Sequence, residues 1–400
     1  MSSACAVLLA ALVSVPLWPM YQYGPEHNAV FAGNGAYSWH RTLGGKINGG
    51  LAFAGSRLYV ESFDKRVTAL DAKTGRIIWS TRMPNVVMTT PVVADGVVIA
   101  GTGTNAALPT ATLAWGRPQG DYVIALNAQS GRTLWKFRTV GEDMPSPAFV
   151  RVGGIDAIVF ANGDNHLRAL SVRDGRLLWT RTLHGIATMS SAAVDRGRAF
   201  VVVGTGAFSG ARDRTLAIDP DNGRIVWSAP YGNADCSPTV AGGLVYVEGS
   251  ATDSRRAATA NAFNVVAAIE ESTGKLRWRW YSGLGSFDTI GSNEEGIAGM
   301  SFGGNYYQAI PATREFAAFD SHGKVRWKIH TAGSVKMSAV AQNGRLYFGD
   351  AAHTFYTVDE KSGHVLARRS FNSFFSVSSP VIAGKTLYVA NNATVWALPL

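Results

Sequence analysis

The chain has 400 residues, 46% of them hydrophobic and 16% charged, with a formal net charge of +9. That is ample apolar material for a large core, and a cysteine count of two, Cys5 and Cys236, excludes a disulfide framework. The positive balance has no Lys/Arg-rich run behind it. Arg255-Arg256 is the largest like-charge feature in a long loop. A nucleic-acid-binding segment is therefore not expected, and a diffuse field that draws small anions is.

Residues 4–17, ACAVLLAALVSVPL, form an apolar run too short to span a bilayer, so no transmembrane span is expected. The run resembles the core of a secretory signal, although no Lys or Arg precedes it and no A-x-A site follows. Residues 1–17 are read as a signal or truncated leader, with a periplasmic or extracellular destination. Residues 18–35 follow as an arm, beginning WPMYQYGPEHNAVF, expected to lie across one face of the folded domain.

From residue 36 onward one pattern repeats. VTALDAKTGRIIW (67–79) returns as VIALNAQSGRTLW (123–135), LRALSVRDGRLLW (167–179) and TLAIDPDNGRIVW (215–227). It returns again as VAAIEESTGKLRW (266–278), FAAFDSHGKVRW (316–327) and, without Trp, YTVDEKSGHVLA (356–367). Each copy reads as strand, tight turn, strand, with Gly supplying the positive φ of the turn. Four residues past Gly75, Gly131, Gly175, Gly223, Gly274 and Gly323 stands a Trp, which predicts one packing slot between neighbouring units. The spacing leaves room for two more strands per unit, hence a four-stranded antiparallel blade. The chain stops at ATVWALPL (393–400), a third strand without a fourth, while AYSWHRTL (36–43) is a fourth strand without a third. Joining them predicts an all-β, eight-bladed propeller over residues 36–400, its last blade closed by the N-terminal strand.

Four segments break the repeat: insertions at 101–121 and 249–264, a smaller one at 204–213, and the linker 281–299. In a propeller, the loops between second and third strands and the loops between blades share one face. The two long insertions and the long linker should therefore wall a pocket there. Aligned at one rim position, the blades present Ile47, Met88, Met144, Met189, Asp235, Ile297, Lys336 and Val377. The apolar members pack a channel throat, and the charges at Asp235 and Lys336 need a partner or a ligand. Cys236 is read either as a small buried hydrophobe or as a thiol beside the pocket. Asp253 stands beside Arg255-Arg256 on the blade-5 insertion and is a candidate general acid or base, with Asp288, Glu294 and Glu295 as rivals. GTGTN and GTGAF open no helix, NGDNH reads as a turn, and no spacing supports a zinc site.

The repeats resemble those of the quinoprotein (PQQ-enzyme-like) propellers. Within that superfamily the arm, WGRPQGDYVIALNA (115–128), GEDMPSPAF (141–149), NADCSPTV (233–240) and GSNEEGIAG (291–299) are similar to the tetrathionate hydrolases of acidophilic sulfur oxidisers. That resemblance implies a secreted or periplasmic hydrolase without quinone, splitting tetrathionate into thiosulfate, sulfate and sulfur. It also implies catalytic roles for Cys236 and Asp253, with Asp288 as the alternative acid. Asp235, Arg255, Arg256, Lys336, Met144, Met189 and Trp115 would hold the small anionic sulfur substrate. No cofactor or metal is expected on this reading, and a homodimer is among the expected assemblies. Two alternatives follow from the same superfamily. One is a PQQ- and Ca-dependent dehydrogenase, for which Glu248, Asn261, Asn264 and Asp288 are the available oxygen ligands but the adjacent cysteine pair is absent. The other is a non-catalytic outer-membrane assembly scaffold.

Overall fold

The computed structural model describes residues 36–87, 89–103, 121–140, 145–183, 185, 187, 189–204, 213–233, 236–250, 264–283 and 298–400, with the backbone of 17–18. Eight antiparallel sheets follow one another along the chain. Blade 1 comprises Ala52–Ala54, Arg57–Ser62, Arg66–Asp71 and Ile77–Arg82, innermost strand first. Blade 5, which matters below, comprises Thr239–Ala241, Leu244–Ser250, Asn264–Glu270 and Leu276–Tyr281. Blade 8 takes Val381–Ala383, Thr386–Asn391 and Thr394–Pro399 from the C-terminus and Trp39–Thr42 from the N-terminus, with Trp39 opposite Ala397. The ring thus closes by hydrogen bonds between the two ends of the chain, leaving no open edge between first and last blades. Leu17–Trp18 adds a short fifth strand along the inner strand of blade 1.

The second and third strands of each blade are apolar on both faces because both are covered by neighbouring blades. Val60, Ala69 and Leu70 of blade 1 and Val245, Ala268 and Ile269 of blade 5 have no solvent exposure. Outer strands alternate instead, as in Val325–His330, where every second residue is exposed.

The recurring Trp occupies the predicted slot. Trp79 of blade 1 lies over Gly131 of blade 2, and its indole Nε1 donates to Ala128 O at 3.0 Å. The same pair of contacts joins Trp39 to Gly75 and Ala72, and Trp227 to Gly274 and Glu271. A Cβ on Gly131 would stand 2.6 Å from the Trp79 ring, and the residue has φ +71°, so only glycine serves there. The copy without Trp is now explained. Ala367 stands four residues past Gly363 on blade 7, which faces blade 8. That blade has no turn between its third and fourth strands, because they belong to opposite ends of the chain. With no turn glycine to receive it, a Trp at 367 would have no slot.

A second periodic device ties the inner ends of the blades together. The lead-in segments of blades 2–5 and 7 each offer a Ser or Thr hydroxyl to a backbone N–H of the preceding blade. Gly50 N donates to Thr90 Oγ1, Thr90 N to Ser146 Oγ, Ser146 N to Ser191 Oγ and Ser191 N to Ser237 Oγ, at 2.7–3.0 Å. Blade 6 has Ala298 at this position and so offers no hydroxyl, although Ala298 N still donates to Ser338 Oγ of blade 7.

Candidate functional site at the corner of blades 5 and 6

Where that hydroxyl chain is interrupted, a buried polar cluster takes its place. Cys236, on the lead-in to blade 5, points its Sγ at Glu248 Oε2, 3.9 Å away on the second strand of the same blade. Gln308 Nε2, from the second strand of blade 6 (Asn305–Ile310), donates to the same oxygen at 2.9 Å, and Tyr306 OH donates to Gln308 Oε1. Thr239 Oγ1 donates to Gly299 O at 2.8 Å. A Cβ on Gly299 would collide with the Tyr306 hydroxyl, so the glycine next to Ala298 makes room for the cluster. All four side chains are buried. Burial, with Glu248 close by, pushes the Tyr306 phenol well above its ordinary range, so it is a hydrogen-bond donor at any working pH.

The cluster lies at the root of both distinctive loop segments. The blade-5 insertion leaves the strand at Ser250, two residues past Glu248, and rejoins at Asn264, which pairs with Ser250. The linker between blades 5 and 6 ends at Ala298, next to Gly299. Ala298 N donates to Ser338 Oγ on the lead-in to blade 7, two residues past Lys336. The shared face of strand-2 ends and lead-ins is confirmed elsewhere: Phe63 N donates to Lys46 O, and Gly103 N to Val86 O.

Among the rim residues expected from the sequence, Ile47, Met189, Lys336 and Val377 are all buried in lead-in segments, and Cys236 is 1% exposed. Asp253, Asp288, Asp235, Arg255, Arg256, Met144 and Trp115 lie outside the described residues, as do Met88, Ile297, Asn261, Glu294 and Glu295. NGDNH is a turn: Asp164 is bound by Arg168 and accepts from His166 N.

Glu61 is a residue that motif reading passed over. It occupies the position of Glu248 in blade 1, and its Oε2 accepts from Thr89 Oγ1 at 2.8 Å. Its Oε1 has no hydrogen-bond partner among the described residues, and burial pushes the carboxyl well above the usual range. The available signal was the repeated Tyr-Val-Glu at 59–61 and 246–248.

A quinone and its calcium ion, which the fold would admit, are not matched by the residues described. The Asn264 amide oxygen already accepts from Ala312 N at 2.9 Å, and Glu248 is engaged by Gln308 and Cys236. No group of three or more His, Cys, Asp or Glu that could hold a metal ion occurs among the described residues.

Fold and repeats define a propeller of the PQQ-like class. Residues 28–248, 163–286 and 262–399 match the family described as outer membrane protein assembly factor BamB, and the chain belongs to that family. The chain is 26% identical over 367 residues to a tetrathionate hydrolase of Acidithiobacillus ferrooxidans, a match covering 86% of this chain and 70% of the relative. It is also 26% identical over 370 residues to the assembly factor BamB of Yersinia pestis, covering 86% and 83%. Among solved structures it resembles a europium-containing methanol dehydrogenase with a TM-score of 0.70 at 15% identity, covering 94% of this chain and 89% of that one.

Proposed function

We propose that the protein is a tetrathionate hydrolase-like enzyme, working in the pocket walled by the blade-5 insertion and the linker that follows it. The observation that carries this reading is the Cys236–Glu248–Gln308–Tyr306 cluster at the root of both segments, where the blade scaffold departs from its own repeat. The relative from Acidithiobacillus ferrooxidans, matched over most of both chains, supports the choice of substrate.

The reaction balances as one tetrathionate dianion and one water giving thiosulfate, sulfate, elemental sulfur and two protons. In our reading Arg255, Arg256 and Lys336 hold the sulfonate ends by charge-assisted hydrogen bonds. Asp235, Met144, Met189 and Trp115 line the site, and methionine sulfur suits the polarisable S–S centre. Water activation falls to Asp253, or to Asp288 in its place, because thiolate nucleophiles sit in accessible, electropositive surroundings and Cys236 is buried beside a carboxylate. Were Cys236 instead to attack, its sulfur would bond to a central sulfur of the substrate and expel thiosulfate. Water would then release sulfate from the adduct, and the remaining persulfide would shed sulfur. Asp253→Asn with abolished turnover and Cys236→Ala with activity kept within about tenfold supports the first route. The opposite pattern supports the second, and retention in both variants removes the assignment.

A non-catalytic scaffold is the second reading, favoured by the family to which the chain belongs. Export to the periplasm is proposed with either reading. Among the described residues, no helix is long and apolar enough to cross a membrane.

A further inference from the structure

The excess positive charge, diffuse along the sequence, is gathered by the fold onto one surface. The eight outer strands carry two Arg or Lys each on blades 2, 5, 6 and 7 and one each on blades 1, 3 and 8, with none on blade 4, eleven in all. They carry no Asp or Glu. On adjacent blades 5–7 the strands Leu276–Tyr281, Val325–His330 and Val365–Ser370 expose Arg277, Arg279, Arg326, Lys328, Arg368 and Arg369. Arg277 pairs with Glu270 and Lys328 with Glu315. Arg279, Arg326, Arg368 and Arg369 make no salt bridge among the described residues. The same rim holds six of the seven exposed large hydrophobic residues described, Tyr281 (45% exposed) and Leu366 (46%) among them on this arc.

We propose that the circumference over blades 5–7 is a docking surface for an anionic lipid bilayer. Protection of strand edges against aggregation calls for charge of either sign, and does not explain the complete absence of acids from eight edges. An acidic protein or a nucleic acid would complement the arginines and leave the exposed apolar surface of Tyr281, over which Arg279 lies, and of Leu366 uncovered. A lipid headgroup layer takes both, since basic side chains meet its negative charge while tyrosine and leucine enter the interfacial zone. Docked on its rim, the disc keeps its loop-rich face, with the Cys236–Glu248 corner, turned along the membrane and open to solutes. This inference is independent of the reaction proposed above.

The test is co-sedimentation of the full chain with vesicles of phosphatidylcholine alone or with about 30% phosphatidylglycerol. Binding is expected only to the anionic vesicles, falling steeply from about 20 mM to about 500 mM salt. The quadruple variant R279E/R326E/R368E/R369E, folded by circular dichroism, should bind at least about tenfold more weakly. Reversal of the exposed turn residues Lys73 and Arg224 should change binding little. Tyr281→Ser with Leu366→Ser should weaken what binding persists at high salt. Equal binding to neutral and anionic vesicles, or binding indifferent to the quadruple reversal, overturns the proposal. So does retention on heparin without any binding to vesicles, which would assign the charge to a soluble polyanion.

Discussion

Glu61 and Glu248 stand at one register, four blades apart across the ring: Glu61 opposite Val67 and Glu248 opposite Val266, each two residues past a tyrosine that faces an alanine. Each reaches toward the next blade, Glu61 to Thr89 and Glu248 to Gln308. They differ in their surroundings. Glu248 has an amide donor and a thiol beside it, while Glu61 has, among the described residues, Thr89 as its hydrogen-bond donor.

Stability should therefore rise as pH falls from neutrality to about 5. The folded-state carboxyl of Glu61 lies well above its ordinary 4.5, and burial pushes Asp121 up to about 6 from 3.8. For an acid raised on folding, the folded protein binds the extra proton. Its contribution is complete below the unfolded value and is lost as pH rises through the folded one. For Asp121 that window runs from about pH 4 to about pH 6. Glu61→Gln, which keeps the shape and needs no proton, should flatten the dependence and add about 1–3 kcal/mol at pH 7. Melting temperatures of both proteins at pH 4, 5, 6 and 7 check this. An unchanged pH profile in the variant would contradict it.

The Trp79–Gly131 contact should behave as a coupled pair. Trp79→Ala is expected to cost about 3–5 kcal/mol as a large buried ring is lost. Gly131→Ala pushes a Cβ into the same ring and adds strain at positive φ. With the ring gone its share of the second cost disappears, while the contact of that Cβ with Thr81 Oγ1 remains, so the double variant should be more stable than the sum of the singles by about 1 kcal/mol. Denaturant midpoints of the four proteins close this cycle. By the same logic Ala367→Trp gains nothing, since blade 8 offers no turn.

Tyr306→Phe leaves Gln308 Oε1 without its hydroxyl donor in a buried place, and should cost about 1–3 kcal/mol in thermal or chemical unfolding. The same burial shields Cys236. Its native thiol should react with a water-soluble disulfide reagent at least about a hundredfold more slowly than in denaturant, and Tyr306→Phe should narrow that ratio.

The framework was legible because it repeats. A Trp four residues past six of the turn glycines, together with Trp39, reports one slot used seven times, and the split strand at Trp39 fixed the blade number. Even the missing Trp at Ala367 carried information, although its meaning needed the seam to be seen. Glu61 was legible only as the partner of Glu248 in a repeated Tyr-Val-Glu, since RLYVES reads as an apolar strand with a polar end, and no sequence pattern states that both its oxygens are enclosed. The basic rim was invisible for a different reason: Arg279, Arg326 and Arg368 are about forty to fifty residues apart in sequence, and only stacking of blades makes them neighbours. Asp253, Arg255 and Arg256 sit on an insertion outside the repeat, so the repeat assigns them no register.

Thiosulfate release from tetrathionate by the purified protein, followed at acid and neutral pH, bears most directly on the proposed activity. Catalytic release, abolished by Asp253→Asn in a protein that still folds, is the expected result. No thiosulfate above the uncatalysed rate at any pH would contradict it and leave the scaffold reading in its place.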